Sequence, residues 1–286
     1  MSEQDHAAEI TKKSKTNFMV SFAMLPEEKR DAIHTVYAFC RCTDDIVDEA
    51  GDADSKRARL TRWREELEKG LRNESEHALL NKLNVIARRF GIPVEHFFDL
   101  IHGMSMDLDR NRYATFEELH GYCYHVASTV GLMCSEIFGY RNPQTRQYAI
   151  DLGIALQLTN IVRDVKADAD IGRVYIPLED FERFGYTPEQ LLRSEYNEAF
   201  VQLMRFETQR AREYYSRARL SLAPEDHAAF FAARIMDRIY YRILDAIERR
   251  NFALFHERIS ISSFEKIRIA VSEYFSRAPL PAADPA

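Results

Sequence analysis

The sequence predicts an all-α protein, and three observations carry that prediction. Gly (10) and Pro (9) together make up under 7% of the 286 residues, against an average near 12%. So few turn formers cannot supply the many tight turns of a β-sandwich or barrel. Apolar residues recur at helical rather than alternating spacing, as in Ile33, Val36, Tyr37, Cys40 and Val47. Pro and Gly stand at widely separated junctions and leave long stretches between them. With 46% hydrophobic and 29% charged residues, the chain is globular rather than disordered.

The elements follow from the punctuation. Leu25-Pro26-Glu27-Glu28 opens a helix over 26–49, with Pro at the first helical position and acids in the first turn, and Gly51-Asp52 closes it. Further helices are predicted over 54–70, 75–90, 93–110, 115–138, 143–168, 187–220, 223–251 and 260–277. Gly91-Ile92-Pro93, Arg141-Asn142-Pro143, Tyr186-Thr187-Pro188 and Ala223-Pro224-Glu225 mark junctions between them. Residues 170–177 read as a loop with a short extended piece. No repeat and no Ser/Gly-rich linker divides the chain, so a single domain is expected over 1–278, followed by a disordered Pro-rich tail over 279–286.

Composition excludes several functions. A net charge of −6, from 45 acidic and 39 basic residues, argues against nucleic-acid binding, which draws its affinity from excess Lys and Arg. Cys40, Cys42, Cys123 and Cys134 form no CxxC pair and read as reduced, packed thiols. The polar start MSEQDHAAEITKKSK is no signal peptide, and no stretch approaches the roughly 20 apolar residues of a membrane span. A cytoplasmic protein is expected, at most peripheral at the inner face of a membrane.

Two segments carry the chemistry. In the first, Tyr37, Arg41, Asp44 and Asp48 fall at offsets 0, 4, 7 and 11 and share one helix face. In the second, Gln157, Asn160, Asp164 and Asp168 fall at offsets 0, 3, 7 and 11, again on one face. Apolar residues flank both stripes, so these carboxylates are costly to bury unless a cation satisfies them. One such run is commonly only a solvated acidic face. Two of equal spacing, each with amide or cationic partners, point instead to an oxygen cage for Mg²⁺, which shares its coordination with phosphates. Tyr37 and Arg41 lie within reach of the same phosphate oxygens. The residues therefore predict a helical pocket that holds a diphosphate through bridging metal ions. An EF-hand reading of Asp168-Ala169-Asp170-Ile171-Gly172 fails for lack of a third oxygen ligand at Gly172. An HD-type phosphohydrolase fails because no His precedes an Asp.

These segments resemble the squalene/phytoene synthase family. Tyr37-Ala38-Phe39-Cys40-Arg41 with Asp44-Asp45-Ile46-Val47-Asp48-Glu49 is similar to its first aspartate motif, and 157–165, from Gln157 to Val165, to its second. The Gly103–Leu108, Gly121–Met133 and Gly172–Asp180 blocks resemble further family blocks, so the likeness runs from about Asn17 to Arg258. It implies a single-domain isoprenoid synthase fold, a helical bundle around a central cavity. It also implies head-to-head condensation of two C15 or C20 prenyl diphosphates through a cyclopropyl diphosphate, with farnesyl diphosphate slightly favoured. The alternatives are a head-to-tail prenyl synthase, a terpene cyclase, or a non-catalytic scaffold.

The same resemblance implies the roles of the residues. Asp44, Asp48, Asn160, Asp164 and Asp168 would hold Mg²⁺. Tyr37, Arg41, Gln157, Asn160, Arg163, Tyr240 and Arg258 would bind diphosphate. Tyr122, together with Arg41, Asp44 and Asp48, would be catalytic, its hydroxyl relaying a proton and its ring facing a carbocation. Phe18, Phe22, Val126, Ala127, Val130, Gly131 and Leu156 would line the prenyl tunnel. The chain departs from the family in having Lys166-Ala167-Asp168 where Gly-Glu-Asp is frequent, and Ser128, which stands where many members have Gly, is expected to narrow the cavity. NADPH use is left open, and so is the oligomeric state. A lipid product implies membrane contact, expected to be transient because no amphipathic anchor stands out in the sequence.

Overall fold

The computed structural model describes residues 21–276, so Phe18 and the tail expected over 279–286 lie outside the described residues. Twelve α-helices follow one another: α1 (Glu27–Asp48), α2 (Ala53–Gly70), α3 (Ala78–Phe90), α4 (Glu95–Asp109), α5 (Phe116–Cys123), α6 (Thr129–Phe138), α7 (Thr145–Asp170), α8 (Leu178–Phe184), α9 (Pro188–Leu192), α10 (Glu198–Ser221), α11 (Phe231–Arg249) and α12 (Ser263–Phe275), all counted among the described residues. The only extended pairing among them is an isolated parallel bridge between Arg112 and Val174, the short extended piece expected in the 170–177 loop. No described helix is long and apolar enough to cross a membrane.

Helix α7 is the axis of the molecule. It packs against α6, α10 and α11 and against the segment joining α5 to α6, while α1, α4 and α6 enclose the other side. Its fully buried Ile154, Ala155 and Thr159 show how deeply it sits.

Three boundaries differ from the sequence reading, each for a local reason. The stretch predicted as one helix over 187–220 is two. Thr187 and Gln190 form a reciprocal capping box at α9, Ser194 adopts a left-handed φ of 56°, and the Asn197 side chain accepts from Phe200 N to start α10. Caps and a turn outweigh the apolar periodicity here. The helix predicted over 223–251 begins only at Phe231, after a 3₁₀ turn at Pro224–Asp226. Asp226 there accepts from Arg141 N (2.7 Å), Asn142 N (3.1 Å) and Thr145 Oγ1 (2.7 Å), pinning the turn to the start of α7. Helix α8, absent from the prediction, starts behind Pro177 and stops at Gly185 with φ 64°.

The predicted 115–138 helix contains a π-helical turn at Tyr124–Ser128, so α5 and α6 are offset in phase. Against that turn lies Gly153 of α7. A Cβ on Gly153 would meet Ser128 Cα at 2.6 Å, so only Gly permits this approach.

Candidate active site

An elongated cavity of about 320 Å³ opens between α1, α4, α6, α7 and α11. Polar residues gather at one end: Tyr37, Arg41 and Asp44 from α1, Gln157 and Asn160 from α7, and Tyr240 from α11. Tyr148, Phe138 and Phe230 close the other, apolar end. Tyr148 and Asn160, which both line the cavity, are 12 residues apart on α7, about 18 Å along its axis at 1.5 Å per residue, so the helix runs the length of the cavity from floor to mouth.

The two acidic stripes meet at the mouth, each already holding cations. Arg41 donates through Nη1 to Asp44 Oδ2 at 2.8 Å and pairs with Asp45 at 2.5 Å. Arg163 Nε and Arg258 Nε both donate to Asp164 Oδ1, at 2.9 and 2.7 Å. Asp48 accepts from Arg173 Nη1 at 3.1 Å. Burial would raise the Asp164 pKa, but its two arginines win and lower it. Burial, then Asp48, pushes Asp44 up to about 6. Burial, then Asp164, pushes Asp168 up to about 7. Asn160 donates to Gln157 Oε1 at 3.3 Å, while its own Oδ1 is buried without a partner.

This donor set fits Mg²⁺. Carboxylates hard to ionise alone, together with an orphaned amide oxygen, favour a hard divalent cation. Among the described residues no three His, Cys, Asp or Glu side chains converge to form a closed metal cage.

Below the mouth, a further network ties the stripes together. Tyr122 and Tyr175 donate to the two oxygens of Asp107, each at 3.0 Å, with their own hydroxyls 3.4 Å apart. Tyr122 lines the cavity, and Tyr175 stacks on it at 5.2 Å with Tyr113 beside both. Burial, then Asp107, raises the Tyr122 pKa well above its ordinary value, so its phenol stays protonated. Burial also raises Asp107 against the pull of Arg173 and the two tyrosines. Arg173, from the loop after α7, thus reaches Asp48 on α1 and lies 4.0 Å from Asp107 on α4. Asp107, Tyr113, Arg173 and Tyr175 were missing from the sequence-predicted set. All but Tyr113 lie within blocks that carry the family resemblance, the signal that would have found them.

Phe22, Val126, Ala127, Val130, Gly131 and Leu156 line the cavity. Ser128 does not narrow it. Its hydroxyl turns away and donates to Ile150 O at 2.8 Å, because the π turn directs that side of the chain at α7. Gly131 serves close packing as well as the lining, since a Cβ there would sit 2.8 Å from Ala149 O. Arg163 lies 5.9 Å from the Tyr240 ring centroid, joining the second stripe to α11.

Helix α11 has a second face. Between the lining residues Ala233, Met236 and Tyr240 lie Arg234 and Asp237, almost wholly buried. Arg219 of α10 pairs with Asp237 at 2.6 Å, and Glu273 of α12 pairs with Arg234 at 3.0 Å and Arg238 at 2.5 Å.

Comparison with known proteins bears on this geometry. The squalene/phytoene synthase family pattern matches residues 11–265. The chain is 34% identical over 275 residues to the 15-cis-phytoene synthase of Synechococcus elongatus, covering 92% of this chain and 89% of that one. It is 37% identical to the phytoene synthase of Arthrospira platensis, covering 91% and 88%. Among solved structures, a dehydrosqualene synthase in complex with ligand superposes with a TM-score of 0.85 at 29% identity, covering 94% of each chain. A squalene synthase from Alicyclobacillus acidocaldarius superposes at 0.79 and 28%, covering 87% of this chain and 94% of that one. The match extends well beyond the aspartate motifs to nearly the whole helical frame, and the chain therefore belongs to the squalene/phytoene synthase family.

Proposed function

We propose that the protein condenses two geranylgeranyl diphosphates head to head into a C40 hydrocarbon of the phytoene type, through a cyclopropyl diphosphate. The carrying observation is the meeting of two carboxylate stripes and their arginines at the mouth of an apolar cavity with Tyr122 in its wall. The sequence alone favours the C15 substrate slightly. The similarity to two phytoene synthases supports C20 instead.

Asp44, Asp48, Asn160, Asp164 and Asp168 are the residues that would hold Mg²⁺. Bound there, the metal supplies Lewis-acid charge that stabilises the departing diphosphate. Arg41, Arg163 and Arg258 exchange their carboxylate partners for phosphate oxygens, with Tyr37, Gln157 and Tyr240 as further donors. The C1–O bond of one substrate breaks, and its allylic cation alkylates the 2,3-double bond of the second. The cavity wall excludes water, and the stacked Tyr122 ring faces the cation. Proton loss closes the cyclopropane. Tyr122, bonded to Asp107, passes that proton onward as its own moves to the carboxylate. The second diphosphate then leaves, the skeleton rearranges to a 1–1′ linkage, and a second proton loss ends the reaction without hydride from NADPH. The hydrocarbon has little affinity for water, so product release takes place at a membrane surface.

Product analysis with C15 and C20 diphosphates and Mg²⁺, with and without NADPH, tests this reading. A C40 hydrocarbon from the C20 substrate, independent of NADPH and abolished by EDTA, is expected. A C30 product alone would reverse the chain-length assignment. A longer linear diphosphate would indicate head-to-tail coupling, and well-folded protein releasing no diphosphate would sink the catalytic reading.

A further inference from the structure

Helix α12 carries apolar residues on two separate faces. Ile269 and Ala270, with Glu273 between them on the helix, face inward and are buried. Phe264, Ile267, Val271, Tyr274 and Phe275 fall within an arc of about 100° on another side, and all are exposed, Phe264 by 78% and Phe275 by 77%. The other exposed large hydrophobics of the described residues are scattered over many elements, which is ordinary for a surface. Five on one face of a 13-residue helix form a contiguous patch.

We infer that this face of α12 is the surface by which the protein docks on a lipid bilayer bearing anionic headgroups. Two observations select that occupant. Arg268 borders the apolar arc and has no ion-pair partner among the described residues, although the whole chain is acidic. Lys266, half-buried on the inward side of the helix, is shifted down in pKa by burial and then by Arg163 and Arg258, so the N-terminal end of α12 stands beside the cationic mouth of the cavity. An apolar stripe with aromatic ends, a cation on its flank and the cationic cavity mouth beside it matches an interfacial helix, whose basic side chain reaches headgroups while the apolar face enters the acyl boundary.

A second copy of the chain fits less well. A two-fold contact through this face would bring Arg268 towards its own symmetry mate. Five side chains also present only several hundred Å², short of the about 800 Å² per partner of a standard interface. The sequence shows no evident amphipathic anchor, and the docking face inferred here departs from that expectation. The helix-period pattern of 263–275 was visible, but only packing reveals which of its two apolar faces remains uncovered.

The inference rests on the hydrocarbon product of the proposed function, and the two are separable by experiment. Full-length protein is sedimented with vesicles of phosphatidylcholine alone or with one quarter phosphatidylglycerol. Diphosphate release is assayed separately without vesicles. Binding at least tenfold stronger to the anionic vesicles is expected. The double variant Phe264→Ser/Phe275→Ser should lose at least tenfold in partition, and Arg268→Glu should erase the preference for phosphatidylglycerol. Both should release diphosphate at the wild-type rate, since neither touches the cavity. A Phe264→Trp variant keeps the face apolar and should be quenched by brominated lipid, while Trp63 in the wild type is not. Wild-type protein that ignores both vesicles, an unquenched Trp at 264, or a lipid-free dimer that the double variant dissolves would each overturn the inference. Failure of diphosphate release alone would instead overturn the proposed function.

Discussion

At the scale of single residues, the site holds its own counter-charges before any ligand arrives. Asp48 is about half-exposed and its pairing with Arg173 is correspondingly weak. Asp48→Asn should therefore leave thermal stability nearly unchanged. Because a metal contributes several kcal/mol of charge stabilisation, turnover should fall by about 10²-fold or more. A near-normal rate would remove Asp48 from the proposed metal site. The pKa directions give a second test. Asp44 and Asp168, raised to about 6 and about 7, keep protons in the fold that the unfolded chain has released above its carboxylate range near 4. The native state thus binds more protons across that window, and the metal-free protein should lose stability as pH rises from about 4 to about 7. Mg²⁺ with inorganic diphosphate should raise the melting temperature more at pH 8 than at pH 5.5. Asp168→Asn should shrink that difference, and equal shifts in wild type at both pH values would contradict the reading.

Much of this was legible in the sequence, because offsets of 0, 4, 7 and 11 on a helix fix a shared face without knowledge of the tertiary fold. Helical spacing likewise placed Tyr37, Arg41 and Asp44 together. Spacing could not show that Arg173, 125 residues beyond Asp48, folds back onto it, since loop paths are set by tertiary packing. Nor could it show Asp107 between two tyrosines from different segments.

At the scale of elements, the approach of α7 to the π turn is a tight packing constraint. Gly153→Ala drives a methyl group into the Ser128 backbone and should cost about 1–3 kcal/mol or more, the range for overpacking. Gly121 of α5 has open space at the same position, so Gly121→Ala should instead stabilise by roughly 0.5–1 kcal/mol through helix propensity. Urea denaturation of the two variants measures both, and equal effects would mean that the contact is not tight. The sequence reading placed a continuous helix here because a π turn preserves the apolar character while shifting phase. The shift explains why Tyr122 and Val130 both face the cavity although eight residues separate them. In a regular helix that spacing accumulates about 800°, or 80° off a common face.

At the scale of the whole molecule, α12 is attached to the bundle by charge. Glu273 is nearly fully buried against Arg234 and Arg238. Glu273→Ala leaves two arginines beneath the helix without their carboxylate and should cost about 3–5 kcal/mol, the usual penalty for one partner of a buried pair. Thermal denaturation measures this, and a loss below about 1 kcal/mol would mean that water reaches those groups.

The same ion network sets a rule for how the cavity changes size. Arg234 and Asp237 sit on α11 among the residues that line the apolar end, so sliding or tilting the helix to deepen the pocket would pull charges from their partners. Side-chain volume at positions such as Phe230, Ala233 and Met236 is free of that coupling. The room available to a prenyl chain is therefore adjustable by exchanging one lining side chain at a time, on a backbone held fixed from behind.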